Sequence, residues 1–135
     1  MKHLCTVVAV VMLAACTRTN AALMDNSLHL ARTCPDAVRL YSTPSKVPSD
    51  YTEIALLNST GSSGWTSESG MMKSMRKKAA EVGANGIILD RIDEPGAGAK
   101  VAGAIFGVGT ERKGKSVAIF VPGDSSHVRE VCSKS

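Results

Sequence analysis

The chain has 135 residues, a formal net charge of +4 and 44% hydrophobic but only 4% aromatic residues, which suits one domain with one core. So few aromatics argue against the stacking platforms of carbohydrate- and single-strand-binding surfaces. The core is left to Val, Ile, Leu, Ala and Met. A mild basic excess favours anionic lipid headgroups or acidic partner surfaces without naming either.

Residues 1–15 have the form of an export signal, with Lys2 and His3 followed by an apolar run from Leu4 to Ala15. That run is too short for a permanent membrane helix, which needs about 20 apolar residues. It closes on Leu13-Ala14-Ala15-Cys16, the pattern of a lipoprotein cleavage box. Small side chains let the extended backbone enter a protease cleft, and the Cys16 thiol carries the lipid. Cys16 is therefore the expected lipidation site and N-terminal residue of the mature chain. Thr17, rather than Asp, follows it and resembles an outer-membrane address. The expected location is the outer membrane, facing the periplasm and anchored by the N-terminal lipid. The expected partner is an envelope protein, and neither nucleic acid nor nucleotide belongs to such a setting.

Residues 16–33 are polar and mixed, and read as a lipidated tether with room for a short helix near Leu28 to Arg32. Residues 34–135 are then the single folded domain. Cys5 leaves with the signal and Cys16 is acylated, so Cys34 and Cys132 remain. An even pair in an oxidising compartment predicts a disulfide. Closing a loop of about 100 residues removes about 4.7 kcal/mol of unfolded-chain freedom on the chain-entropy account. His29 and His127 each stand five residues before one of these cysteines, but metal sites prefer tighter spacing or one helical face. No metal and no cofactor is expected.

Val38 and Leu40 alternate with Arg39 and Tyr41, the period of a half-buried strand over 37–42. A second strand is predicted at 53–58, with Ile54, Leu56 and Leu57 in the core. The Ser/Thr/Gly-rich stretch from Asn58 to Ser69 has loop composition, and Trp65 within it is a candidate partial lid or partner contact. A helix is predicted from Glu68 to Val82, capped by Ser67, with Met72, Met75, Ala79 and Val82 on its core face. Lys73, Arg76 and Lys77 lie on other faces and form a candidate partner-binding surface. Gly83 supplies the left-handed stop. An aliphatic strand follows at Ile87 to Ile92, then a Gly/Ala-rich run through residue 109, more often buried strand than contact site. A last strand spans Ser116 to Val121 before Pro122. The fold class is α+β: a mixed sheet of four to five strands with one main helix on one face.

Three motifs invite chemistry. Gly109 to Ser116 fits the phosphate-loop pattern, but a strand follows where a phosphate-binding helix must begin. Ser74-Met75-Arg76-Lys77 matches the Ser-x-x-Lys element of penicillin-binding enzymes without their other motifs. Asp90, Asp93 and Glu94 form an acidic strand end with no supporting His or Gly pattern. With no catalytic residue assigned, the alternative, a small periplasmic hydrolase of cell-wall or ester substrates, would rest on His29 or His127.

The segment Ser69–Asp90, with Met75-Arg76-Lys77-Lys78-Ala79-Ala80-Glu81-Val82-Gly83-Ala84-Asn85-Gly86-Ile87-Ile88-Leu89 at its centre, resembles the helix-to-strand core of the YbjQ/RcsF-like group of small bacterial domains. Gly86 stands where alanine is common in that group. Val117 to Val121 resembles its closing strand. The resemblance implies an α+β fold and, for several members, an outer-membrane lipoprotein; for RcsF it implies an envelope-stress role exercised through partner proteins.

Overall fold

The computed structural model describes residues 17–62, 66–93 and 111–135. Cys16 and the signal segment, Trp65, Glu94 and the glycine-rich run to residue 109 lie outside the described residues. The described elements are β1 (Arg18–Leu23), β2 (Arg39–Tyr41), β3 (Thr52–Ser62), α1 (Glu68–Glu81), β4 (Gly86–Asp93), β5 (Glu111–Phe120) and α2 (Ser125–Cys132). Short 3-10 turns begin at Pro35, Pro44 and Pro122, where the fixed proline φ suits a first helical position and no N–H is lost.

The strands form one sheet in the order β1-β3-β5-β4-β2. Neighbours are antiparallel except β2 and β4, which pair in parallel. This is the α+β mixed sheet that the sequence predicts, with a second, shorter helix added. β3 and β5 are the long central strands, paired from Thr52↔Phe120 to Ser62↔Glu111. On the face toward α1 they carry small residues: Ser59, Gly61, Gly114, Ser116 and Ala118 are buried there. Small side chains admit the long methionines of α1, and Ser116 Oγ donates to Met75 Sδ at 3.5 Å. The main core joins Ala55, Leu57, Met75, Ala79, Ile87 and Ala118. A second cluster of Tyr41, Ile88, Ile119 and Val121 lies apart from it, with Val47 and Tyr51 packed on it. β4 thus buries Ile87 in one cluster and Ile88 in the other, which accounts for its unbroken aliphatic run.

Helix α1 starts as expected: the Ser67 hydroxyl accepts from Gly70 N at 3.1 Å, and Glu68 occupies the first turn. Its core face differs from the predicted one at two of four positions. Met71, Met75, Ala79 and Ala80 are buried, whereas Met72 and Val82 are half-buried. Adjacent methionines at 71 and 72 satisfy the helical period equally, and the packing decides between them. Gly83 ends the helix with φ +84°; a Cβ there would stand 2.4 Å from Leu30 Cβ. Both the backbone conformation and the close approach require glycine.

Five expectations need correction. The presumed tether contains β1, which pairs with β3 from Arg18↔Thr60 to Leu23↔Ala55. An edge strand with one half-buried side gains stability from backbone pairing and from hydroxyl contacts, and its side chains carry little hydrophobic signal. Thr19 Oγ1 donates to Ser59 Oγ at 3.0 Å and lies 2.6 Å from Ser74 Oγ. Leu28 to Arg32 forms no helix; Leu28 and Leu30 pack instead against the main core. The expected loop after Asn58 is strand up to Ser62, and β5 begins five residues before Ser116, because β3 and β5 continue to pair there. Finally, Leu56 is 46% exposed. A register shift between Glu53 and Ala55 buries Ile54 and Ala55 in succession and leaves Leu56 on the open face.

Candidate functional site

Cys34 and Cys132 form a disulfide, with Cα atoms 5.5 Å apart and a sequence separation of 98. The predicted pairing is present. Cys34 N also donates to Cys132 Sγ at 3.2 Å. The bond fastens the last residue of α2 to the turn that leads into β2. Helix α2 contains no fully buried residue, and packs on the turns at Pro35–Ala37 and Pro122–Asp124. Its position is set by the covalent link and by its polar N-terminal neighbourhood. There Asp124 lies 3.7 Å from Arg39 Nε and accepts a 3.4 Å hydrogen bond from Tyr41 Oη. Burial first, and then the Asp124 carboxylate, hold the Tyr41 hydroxyl above its ordinary pKa.

The approach to α2 is braced by Asn85, which is 1% exposed. Its Nδ2 donates to Val121 O at 2.8 Å, and its Oδ1 accepts from Val121 N at 2.7 Å. Its backbone N–H donates to Ile119 O, and its carbonyl accepts from Arg39 N, at 3.1 and 3.0 Å. The side chain acts as an extra peptide group at the end of β5 and satisfies both partners in a buried place.

Between residues 30–33, the end of β5 and α2 lies a groove of about 480 Å³. Leu30, Phe120 and Val128 give it an apolar lining, and Arg32 and Arg129 stand exposed at it. Ser125 also lines it, but its hydroxyl donates to Pro122 O at 2.7 Å. An apolar floor with two cationic side chains suits the binding of an acidic, partly apolar segment.

A second depression, of about 280 Å³, is lined by Thr17, Arg18, Ser74, Lys77, Lys78 and Glu81. Lys78 Nζ donates to Glu81 at 3.0 Å, and this bond holds the Glu81 carboxyl below its ordinary pKa. Of the predicted basic surface, Lys73 and Lys77 are exposed at adjacent turns of α1. Arg76 is half-buried, and its Nε is buried with no hydrogen-bond partner among the described residues. The three residues therefore do not form one uniform face.

The chemical motifs are dispersed by the fold. Glu111 to Ser116 lies within strand β5, with Ser116 buried, and the strand continues to Phe120 where a phosphate-binding helix would have to begin; Gly109 and Thr110 lie outside the described residues. Ser74 is engaged with Thr19. Asp90 is exposed where the β4–β5 register shifts. Among the described residues no group of three His, Cys, Asp or Glu side chains is placed to hold a metal, and both sulfurs near His29 and His127 are in the disulfide. His127 is half-buried on α2, with no serine hydroxyl bonded to it among the described residues. The features that the sequence reading missed are Asn85, Asp124 and the groove. Asn85 stood in plain view between Ala84 and Gly86, but nothing in a single chain announces which backbone a buried amide will pair with.

No protein-family model matches the chain, and no curated protein matches it. Among solved structures, the Francisella virulence factor FvfA is similar in fold, with a TM-score of 0.56, 17% identity, and 76% of this chain and 96% of that one covered.

Proposed function

We propose that the protein is an outer-membrane-anchored periplasmic lipoprotein, non-enzymatic, which binds another component of the envelope. The observation that carries this reading is the agreement of two independent features: the cleavage box Leu13-Ala14-Ala15-Cys16 at the chain start and the Cys34–Cys132 bond in the folded domain. The first belongs to export and acylation, the second to an oxidising compartment. The resemblance of Ser69–Asp90 to the YbjQ/RcsF-like group points the same way and suggests an envelope-stress or assembly role.

The groove beside α2 is the surface we assign to the partner. Its apolar lining supplies area, and Arg32 and Arg129 supply orientation toward an acidic segment. The hydrolase alternative gains nothing from His127, which faces no serine hydroxyl among the described residues. In-cell photocrosslinking from Val128, with exposed Lys46, which does not line the groove, as a control site, tests the reading. A single adduct of defined mass from Val128, weakened in Arg129→Glu, supports it. Equal and diffuse crosslinking from both sites contradicts it.

A further inference from the structure

The length of the anchor sets how the domain sits on the membrane, given the acylation of Cys16 proposed above. A tether of some seventeen residues would let the domain roam above the lipid. No such length exists, because β1 starts at Arg18. One peptide unit, about 3.8 Å between Cα atoms, separates Cys16 from Thr17, the first described residue. Acyl chains in the hydrocarbon would therefore bring the start of β1 to headgroup level.

The surroundings of that point have the composition of a bilayer contact. Arg18, Lys73 and Lys77 are exposed, and Thr17, Arg18 and Lys77 line one depression. The acid lining it, Glu81, is already neutralised by Lys78 at 3.0 Å, which leaves a net positive patch. Along the same edge strand the character turns apolar. The large hydrophobic side chains exposed among the described residues are Leu23 (44%), Met24 (50%) and Leu56 (46%). Leu23 ends β1, Met24 N donates to Ile54 O directly beyond it, and Leu56 pairs across the ladder with Ala22. Cations at one end of the strand and apolar groups at the other match headgroup phosphates and the acyl boundary beneath them.

We infer that the β1 edge of the sheet lies against the bilayer, with Arg18, Lys73 and Lys77 on anionic phospholipid headgroups and Leu23, Met24 and Leu56 at the lipid boundary. The opposite edge, carried by β2, then points away. Five strands at about 4.8 Å spacing put β2 roughly 19 Å from β1, beyond the reach of headgroup charge at ordinary ionic strength, where the screening length is about 10 Å.

The test uses the acylated mature protein in phosphatidylcholine vesicles with and without phosphatidylglycerol. Lysines are labelled with a water-soluble amine reagent and read by peptide mass spectrometry, which also reads the mass of the N-terminal peptide. Labelling of Lys77 is expected to fall about fivefold relative to Lys46 in the anionic vesicles. Arg18→Glu should restore most of it. Leu23→Ser combined with Met24→Ser should weaken the protection that persists in neutral vesicles. A lipid mass on Cys16 with equal labelling of Lys77 and Lys46 overturns the orientation while leaving the anchor intact. No lipid mass overturns both. Protection that appears equally in detergent and rises with protein concentration assigns the edge to a second copy of the chain and also overturns the proposal.

Discussion

The two helices are held in place by different means. Helix α1 buries four side chains against the sheet, begins on a side-chain cap and ends on a glycine that no other residue replaces. Helix α2 buries none fully and is fastened by a sulfur–sulfur bond at its last residue. Hydrophobic burial is distributed and survives the loss of any one contact in part, whereas a covalent fastening is kept or lost as a whole. The groove that we assign to a partner lies on α2, so its shape depends on the less redundant of the two.

The disulfide is where α2 can be released while α1 keeps its packing. Replacing Cys34 and Cys132 together by serine should cost about 4–5 kcal/mol if loop entropy dominates. Amide protection should vanish first over 125–132 in hydrogen exchange and persist over α1. Loss of protection in both helices together would mean that α2 is part of the main cooperative unit. Met75→Ala, at the centre of the α1 contact, should lower stability by about 3 kcal/mol, read as a shift of the denaturation midpoint. Val128→Ala on α2 should cost less than about 1 kcal/mol, since only a half-buried side chain is trimmed.

Asn85→Ala lies between the two helices and sharpens the contrast. It leaves the backbone N–H of buried Val121 unpaired and removes one of the two donors to its carbonyl, which Asp124 N also reaches at 3.1 Å, at about 1–3 kcal/mol, and should loosen the chain entering α2 before it affects α1. The smallest effect concerns pH. The hydroxyl of Tyr41 is held above its ordinary value near 10, so the folded state keeps a proton that the unfolded chain gives up. The stability this contributes is fully present below pH 10 and is lost as pH rises through the raised value. Tyr41→Phe should flatten that alkaline decline and leave stability at neutral pH almost unchanged, as alkaline melting curves would show.

How much of this was legible in the sequence follows the same division. The α1–β4 unit announces itself through Ser67, the methionine and alanine period, Gly83 and the aliphatic run after it, because burial and capping leave local marks. The disulfide is legible by elimination among four cysteines. Strand β1 is not, since Thr19, Asn20 and Ala21 are ordinary polar and small residues whose stability comes from a ladder with β3. Nor is α2, an eight-residue helix with no fully buried residue. The groove is least legible of all, being assembled from residues 30–33, the end of β5 and α2, parts about ninety residues apart in the chain. The missed edge strand also carries the proposed seating, since on an acylated Cys16 it would turn a loose anchor into a seat on the membrane.

Intact mass spectrometry of the native protein extracted from membranes goes to the root of the account. A chain that begins at Cys16 and bears a diacylglyceryl-derived adduct is the predicted result. A water-soluble protein retaining Met1, with Cys16 unmodified, would contradict the anchor, the compartment and the seating of β1 together.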